Sequence, residues 1–79
     1  MHIHVRFFAG LRERLGVAEL QLSLPEGATV AQAWEQAVPD EPLSANVLAA
    51  RNMEYVDVGS HLADGDEVAF FPPVTGGCA

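Results

Sequence analysis

The residues of this chain that could do chemistry lie near its C-terminal end, where an apolar run leads into two prolines and then two glycines. The segment reads Phe70-Phe71-Pro72-Pro73-Val74-Thr75-Gly76-Gly77-Cys78-Ala79. Glycines often close a turn that returns the chain to the fold. Because few residues follow Gly77, we expect the terminus itself to be the working part, which enters the active site of another protein.

The alternative interpretation of the two glycines alone is a frayed end with no task. The preceding residues argue against it, because Pro72-Pro73 favours an extended polyproline geometry that holds the tail away from the domain. An extended chain from Pro72 to Gly77 spans up to about 20 Å. Gly76 and Gly77 have no Cβ, so they fit a narrow channel. We therefore interpret this segment as a tail that reaches into a partner.

Length and charge limit what the rest of the chain can do. The chain has 79 residues, of which 49% are hydrophobic, and this suits one small folded domain. Its formal net charge is −7, with four arginines and no lysine. Acidity of this kind repels nucleic acid and favours a partner with a basic docking face. Without lysine, the chain cannot accept an isopeptide bond on its own side chains.

The start of the chain and its hydropathy predict the compartment. Residues 1–6 lack the basic start and the long apolar stretch of a signal peptide. No apolar run approaches the ~20 residues that span a bilayer. We therefore expect a cytoplasmic protein that has no membrane partner.

Alternating apolar residues predict a first strand that includes Ile3, Val5 and Phe7. Residues 9–15 then suit a short helix, with Gly16 as its C-cap. The alternation returns over residues 18–24, which predicts a second strand paired with the first as a hairpin.

The second half of the chain predicts a helix and three more strands. Thr29 and Gln32 form a capping-box pattern at the start of the helix, and Trp34 has the spacing of its buried face. The predicted strands are residues 47–51, 54–56 and 67–71. A mixed sheet with one main helix packed on one face is an α+β, two-layer domain.

Three segments of the chain together form a long and specific pattern. They are Val5-Arg6-Phe7-Phe8-Ala9, Asn52-Met53-Glu54-Tyr55-Val56, and Leu62-Ala63-Asp64-Gly65-Asp66-Glu67-Val68-Ala69-Phe70-Phe71-Pro72-Pro73-Val74-Thr75-Gly76-Gly77. The pattern resembles the MoaD/ThiS family of ubiquitin-like sulfur carriers, which includes the small subunit of molybdopterin synthase. It is weakest over residues 38–45. The resemblance implies a β-grasp domain over residues 1–71 and a C-terminal tail over residues 72–79.

The resemblance also implies an activity that uses the C-terminal glycine. An E1-like enzyme adenylates the carboxylate, which is then converted to a thiocarboxylate and delivers sulfur to a pterin precursor inside the large subunit of molybdopterin synthase. In this sequence the reactive carboxyl belongs to Gly77, whereas Pro73, Val74, Thr75 and Gly76 lie in the partner's channel. The carrier itself binds no cofactor, because ATP is used by the activating enzyme.

The sequence departs from the family at its end, because Cys78-Ala79 follow the second glycine and hold the carboxyl of Gly77 in a peptide bond. This resembles a precursor that a metalloprotease trims before use. Other interpretations stay open: Ala79 is itself activated, the extra residues are not native to the protein, or this copy is inactive. A further one is a persulfide on Cys78, although no neighbour that would lower its pKa is evident.

Two phenylalanines have side chains that are predicted to point away from the core. Phe8 has the strand parity of Arg6, and Phe71 has the opposite parity to Phe70. Because the first and last strands of a β-grasp sheet are neighbours, we expect both rings in one exposed patch. The resemblance adds Tyr55 as the third residue that binds the partner. The alternative is that a loop covers one of the rings.

Other groups of polar residues do not form a site. His2 and His4 share a strand face and could both reach a metal, but no third ligand is evident, so a solvated face is the better interpretation. Asp64, Asp66 and Glu67 lack the rest of a calcium loop and suit a polar turn. We therefore predict no metal and no catalysis by the chain alone.

The leading hypothesis is a sulfur carrier for molybdenum cofactor synthesis. One alternative is the same chemistry in another pathway, for cysteine, thiamine or siderophore sulfur. A second is a ubiquitin-like modifier, whose terminal glycine forms an isopeptide with a target lysine, and a third is a binding module whose tail is inert.

Overall fold

The computed structural model describes residues 1–43 and 46–72. Its helices and strands are β1 (His2–Phe7), α1 (Ala9–Leu15), β2 (Glu19–Ser23), α2 (Val30–Ala37), β3 (Leu48–Arg51), β4 (Glu54–Val56) and β5 (Glu67–Phe71). The order of elements is the predicted one, and the bounds of β4 and β5 are those expected from the sequence. Of the predicted tail over residues 72–79, everything after Pro72 lies outside the described residues.

The five strands form one mixed sheet in the order β2-β1-β5-β3-β4. β1 and β5 are parallel at its centre, with Val5 opposite Val68, and the other neighbouring pairs are antiparallel. This confirms that the first and last strands are neighbours. β3 begins one residue later than predicted, because Leu48 pairs with Phe71, where β5 ends, and leaves Val47 beyond the ladder.

Helix α2 covers one face of the sheet and encloses the core. The capping box is present: Gln32 N–H donates to the Thr29 hydroxyl over 3.3 Å, and Thr29 N–H donates to Gln32 Oε1 over 2.7 Å. Trp34 is fully buried, and the rings of Phe7 and Phe70 meet it edge-on at 6.1 and 5.0 Å between centroids. The prediction that Trp34 belongs to the core is therefore confirmed.

Helix α1 is a short connection between β1 and β2. Its Leu11 is buried in the core, and it ends at Gly16, whose φ of +73° suits glycine. The Gly16 N–H donates to the carbonyl of Arg12 over 3.0 Å. The two strands pair as the predicted hairpin on either side of this helix.

Strand parity gives the sheet two different faces. The inner face carries Ile3, Val5 and Phe7 from β1, and Val68 and Phe70 from β5, each at most 2% exposed. The side chains between them point to the outer face, which neither helix covers. That outer face carries the residues from which we build the candidate site.

Candidate functional site

A row of side chains crosses the outer face of the sheet from β1 to β4. Arg6 lies opposite Ala69, Ala69 opposite Ala50, and Ala50 opposite Tyr55. Because the two alanines at the centre have small side chains, the surface is depressed there, and the larger side chains around them project further from the sheet. The register of four separate strands therefore builds this surface.

Phe8, Tyr55 and Phe71 form what we call the aromatic cluster. The rings of Phe8 and Phe71 stack with their centroids 4.9 Å apart and their planes at 11°. Tyr55 tilts against Phe71 with centroids 6.1 Å apart. The guanidinium carbon of Arg6 lies 5.2 Å from the centroid of the Phe8 ring, which is a cation–π contact. The prediction that these rings lie together is confirmed, whereas their role in docking stays a prediction.

The members of the aromatic cluster differ in exposure. Tyr55 is 72% exposed, whereas Phe8 and Phe71 are half-buried and stack on one another. Leu48, which pairs with Phe71, is 38% exposed and extends the apolar surface along β3. Exposed apolar patches on folded domains are often interaction sites, so this surface is the candidate docking site.

Met53 is a residue of this surface that the sequence analysis did not single out. It lies in the two-residue turn between β3 and β4 and is 91% exposed. Together with Tyr55 and Phe71 it lines a hollow of about 270 Å³ over Ala50 and Ala69. The available signal was a large apolar residue within a turn, where polar residues and glycine are usual.

The β1 side of the outer face is polar. His4 Nε2 lies 2.5 Å from Glu19 Oε1, and His4 Nδ1 lies 3.4 Å from Glu67 Oε2. Arg6 Nη1 is 3.9 Å from the same oxygen of Glu67. His4 therefore contacts carboxylates from β2 and β5. In residues 1–43 and 46–72, no three His, Cys, Asp or Glu side chains form a group that could hold a metal ion.

Hydrogen bonds fix the β3–β4 turn to the start of β5. Asn52 Nδ2 donates to Asp66 Oδ1 over 3.0 Å, and the N–H of Glu67 donates to Asn52 Oδ1 over 3.0 Å. Burial raises the pKa of Asp66, but the hydrogen bonds from Asn52 and from the N–H of Ala63, with the charge of Arg51, outweigh it. The pKa of Asp66 therefore lies below its ordinary value. The predicted polar turn therefore has a structural role, because its hydrogen bonds to Asn52 hold the β3–β4 hairpin against the start of β5.

The chain continues toward the tail from the aromatic cluster itself, because Phe71 is the last residue of β5. Pro72 is half-buried. The predicted channel residues Pro73, Val74, Thr75 and Gly76, and the predicted reactive Gly77, lie outside the described residues, as does Cys78. Within the part of the chain that is described, no helix is both long and apolar enough to cross a membrane.

Comparison with known proteins identifies the family. The model of the ThiS family matches residues 5–77. This chain belongs to the ThiS family. It is 42% identical to the "Molybdopterin synthase sulfur carrier subunit" of Escherichia coli, over 95% of this chain and 99% of that protein.

Solved structures of related proteins share the fold of this ThiS-family chain. The crystal structure of SAMP1 from Haloferax volcanii is 30% identical, with a TM-score of 0.83 over 96% of this chain and 99% of that one. A "putative molybdopterin converting factor, subunit 1" from Pyrococcus furiosus is 35% identical, with a TM-score of 0.75 over 94% of this chain and 99% of that one. The predicted ubiquitin-like β-grasp fold is therefore confirmed.

Proposed function

We propose that this protein is a sulfur carrier for molybdopterin biosynthesis, whose Gly77 carboxyl is adenylated and then converted to a thiocarboxylate. One observation carries the proposal: the family match extends through Gly77, on a tail that starts beside the aromatic cluster. The names of the relatives in Escherichia coli and Pyrococcus furiosus support the same pathway.

The chemistry explains why the carrier needs a tail more than it needs catalytic side chains. A carboxylate is a poor electrophile, so the Gly77 carboxylate attacks ATP to give an acyl adenylate and pyrophosphate. Hydrosulfide, or a donor at the same oxidation level, then displaces AMP and leaves a thiocarboxylate, which is itself a good nucleophile. An E1-like enzyme supplies the activating groups, and a pterin precursor bound in the large subunit of molybdopterin synthase accepts the sulfur.

The aromatic cluster gives those two partners a surface to hold while the tail enters their active sites. Phe8, Tyr55 and Phe71 combine apolar area with a clear position beside the start of the tail. Aromatic residues that pack in the centre of an interface supply much of its binding energy. We infer that the large subunit and the activating enzyme both dock on this cluster, and therefore bind one at a time.

Activation requires that the peptide bond after Gly77 be cut first. Cys78 follows Gly77, so the carbonyl carbon that must be adenylated is part of an amide. Hydrolysis of that bond by a metalloprotease releases the carboxylate. We therefore infer that the chain as printed is a precursor.

The test compares the full chain with a chain that ends at Gly77, each mixed with the activating enzyme, ATP and a sulfur donor. We expect ATP–pyrophosphate exchange only with the shorter chain, and a mass gain of about 16 Da that marks exchange of oxygen for sulfur. Equal exchange by both chains would refute the precursor. An unchanged mass of the shorter chain would refute the sulfur carrier.

A second candidate function is protein modification. A "Small archaeal modifier protein 1" from Haloferax volcanii is 32% identical to this chain. The printed sequence has no lysine, so its own side chains offer no site for isopeptide bonds. In the same reaction mixture supplemented with cell protein, covalent adducts of higher mass would favour the modifier, whereas release of thiocarboxylate sulfur would favour the carrier.

A further inference from the structure

The turn between β3 and β4 holds Met53 in a backbone conformation that methionine rarely adopts. Asn52 and Met53 have φ angles of +50° and +74°, and they alone connect the paired residues Arg51 and Glu54. Positive φ at both central residues is the mark of a type I′ turn, in which asparagine followed by glycine is strongly preferred. Asparagine tolerates this conformation, whereas the Cβ of methionine makes it costly.

Burial does not offset that strain, because the Met53 side chain is 91% exposed. The turn is nevertheless held firmly in place. The Asn52 N–H donates to the carbonyl of Glu67 over 2.8 Å, and the Asn52 side chain bonds both Asp66 and the backbone of Glu67. A strained backbone that holds an exposed apolar side chain in a fixed position is typical of a functional residue.

The surroundings of Met53 indicate a role in binding. Met53 forms one wall of the hollow over Ala50 and Ala69, and the aromatic cluster continues from it through Tyr55 and Phe71. Ala50, at the floor of the hollow, is only 6% exposed, because the larger side chains around it cover most of its surface. A largely apolar recess suits a single apolar side chain of a partner, to which the flexible Met53 side chain can adapt.

The charges around the hollow indicate the kind of partner. Arg6 and Glu67 both line it. Arg6 lies over the Phe8 ring, whereas the Glu67 carboxylate makes only long ion pairs among the described residues, 3.4 Å to His4 and 3.9 Å to Arg6. It can therefore accept a closer bond from a lysine or an arginine. A second copy of this chain fits poorly, because two bodies that each carry −7 repel one another.

We propose that Met53 and the hollow form a second part of the docking surface, which receives an apolar side chain flanked by a basic residue from the large subunit. This rests on the proposed function, because it names how the synthase partner recognises the carrier. Met53 is then a residue that determines affinity, retained at the expense of a more stable turn.

The test uses Met53→Gly, with Met53→Leu as the matched control, both in the chain that ends at Gly77. Glycine relieves the strained turn, so we expect the melting temperature to rise by about 4 °C. The same variant should bind the large subunit about tenfold more weakly, because the wall of the hollow is gone. Met53→Leu keeps the apolar volume, so its affinity should stay within about threefold of the wild-type value.

Opposite changes in stability and affinity distinguish this proposal from a structural role. If Met53→Gly binds as tightly as wild type, Met53 has no part in docking, and the proposed function still stands. If Met53→Gly lowers both the melting temperature and the affinity, the residue supports the fold and the inference is wrong. If the wild-type chain gains sulfur but fails to bind the large subunit, the synthase role and this inference both fail.

Discussion

At the scale of single residues, Phe70 and Phe71 are adjacent in sequence but belong to opposite faces of the sheet. Phe70 is fully buried against Trp34, whereas Phe71 stacks on Phe8 at the outer face. The same residue type therefore serves the core at one position and the surface at the next. Removing the two side chains should have different consequences.

We predict that Phe71→Ala weakens binding of the large subunit and of the activating enzyme by about 2 kcal/mol, or roughly thirtyfold. The loss of ring stacking and of half-buried apolar area should cost the fold only about 1–2 kcal/mol. Phe70→Ala is the matched control, because it leaves a cavity in the core and should cost about 3–5 kcal/mol of stability. A titration against each partner and a denaturant melt of each variant measure both effects. Normal binding by folded Phe71→Ala would contradict the role of the aromatic cluster.

At the scale of elements, the β3–β4 hairpin and the start of β5 behave as one unit because Asn52 and Asp66 join them. The pKa of Asp66 is lowered in the folded protein, although burial alone would raise it. Its carboxylate therefore favours folding at any pH above its unfolded pKa of about 3.9. That contribution is lost as the pH falls through the still lower pKa of the folded state.

We predict that Asp66→Asn lowers the free energy of unfolding by about 1 kcal/mol at pH 7, because asparagine has only one side-chain oxygen, so either the N–H of Ala63 or the amide of Asn52 loses its acceptor. The difference between variant and wild type should shrink as the pH falls from about 5 to about 2. Urea melts across that range measure it. Glu35→Gln, which removes an exposed carboxylate from α2, is the control. A difference that stays constant with pH would show that the charge of Asp66 does not stabilise the fold.

Local patterns explain which elements could be predicted from sequence. The outward parity of Phe8 and Phe71 follows from strand alternation, which is a property of neighbouring residues. The contacts of His4 with Glu19 and Glu67 depend on the register between different strands, so no pattern within one strand contains them. Met53 was not predicted as a surface residue of the site, because turn patterns predict the backbone conformation of a turn and not which other residues its side chains lie beside. The fit of Gly76 and Gly77 to a narrow channel follows from their missing Cβ, whereas the activation of Gly77 follows from the family resemblance; both are still predictions.

At the scale of the whole molecule, the net charge of −7 acts on every approach to a partner. Opposite charge on the partner speeds the encounter more than it tightens the final complex. We predict that the association rate with the large subunit falls about tenfold between 50 and 500 mM salt, whereas the dissociation rate changes little. Stopped-flow mixing measures both rates. An association rate that does not depend on salt would contradict a basic docking face on the partner.

The central position of β5 has a mechanical consequence. β5 is hydrogen-bonded to β1 on one side and to β3 on the other, and the tail continues from its last residue. Force applied to the tail along the strand axis therefore acts across two ladders at once, whose hydrogen bonds run between the strands. Such a force shears all of these bonds together, whereas a pull on an edge strand peels them apart one by one. If a partner draws the tail into its channel, as the proposed function requires, it pulls on the strand best able to resist, and we expect the domain to stay folded under that tension.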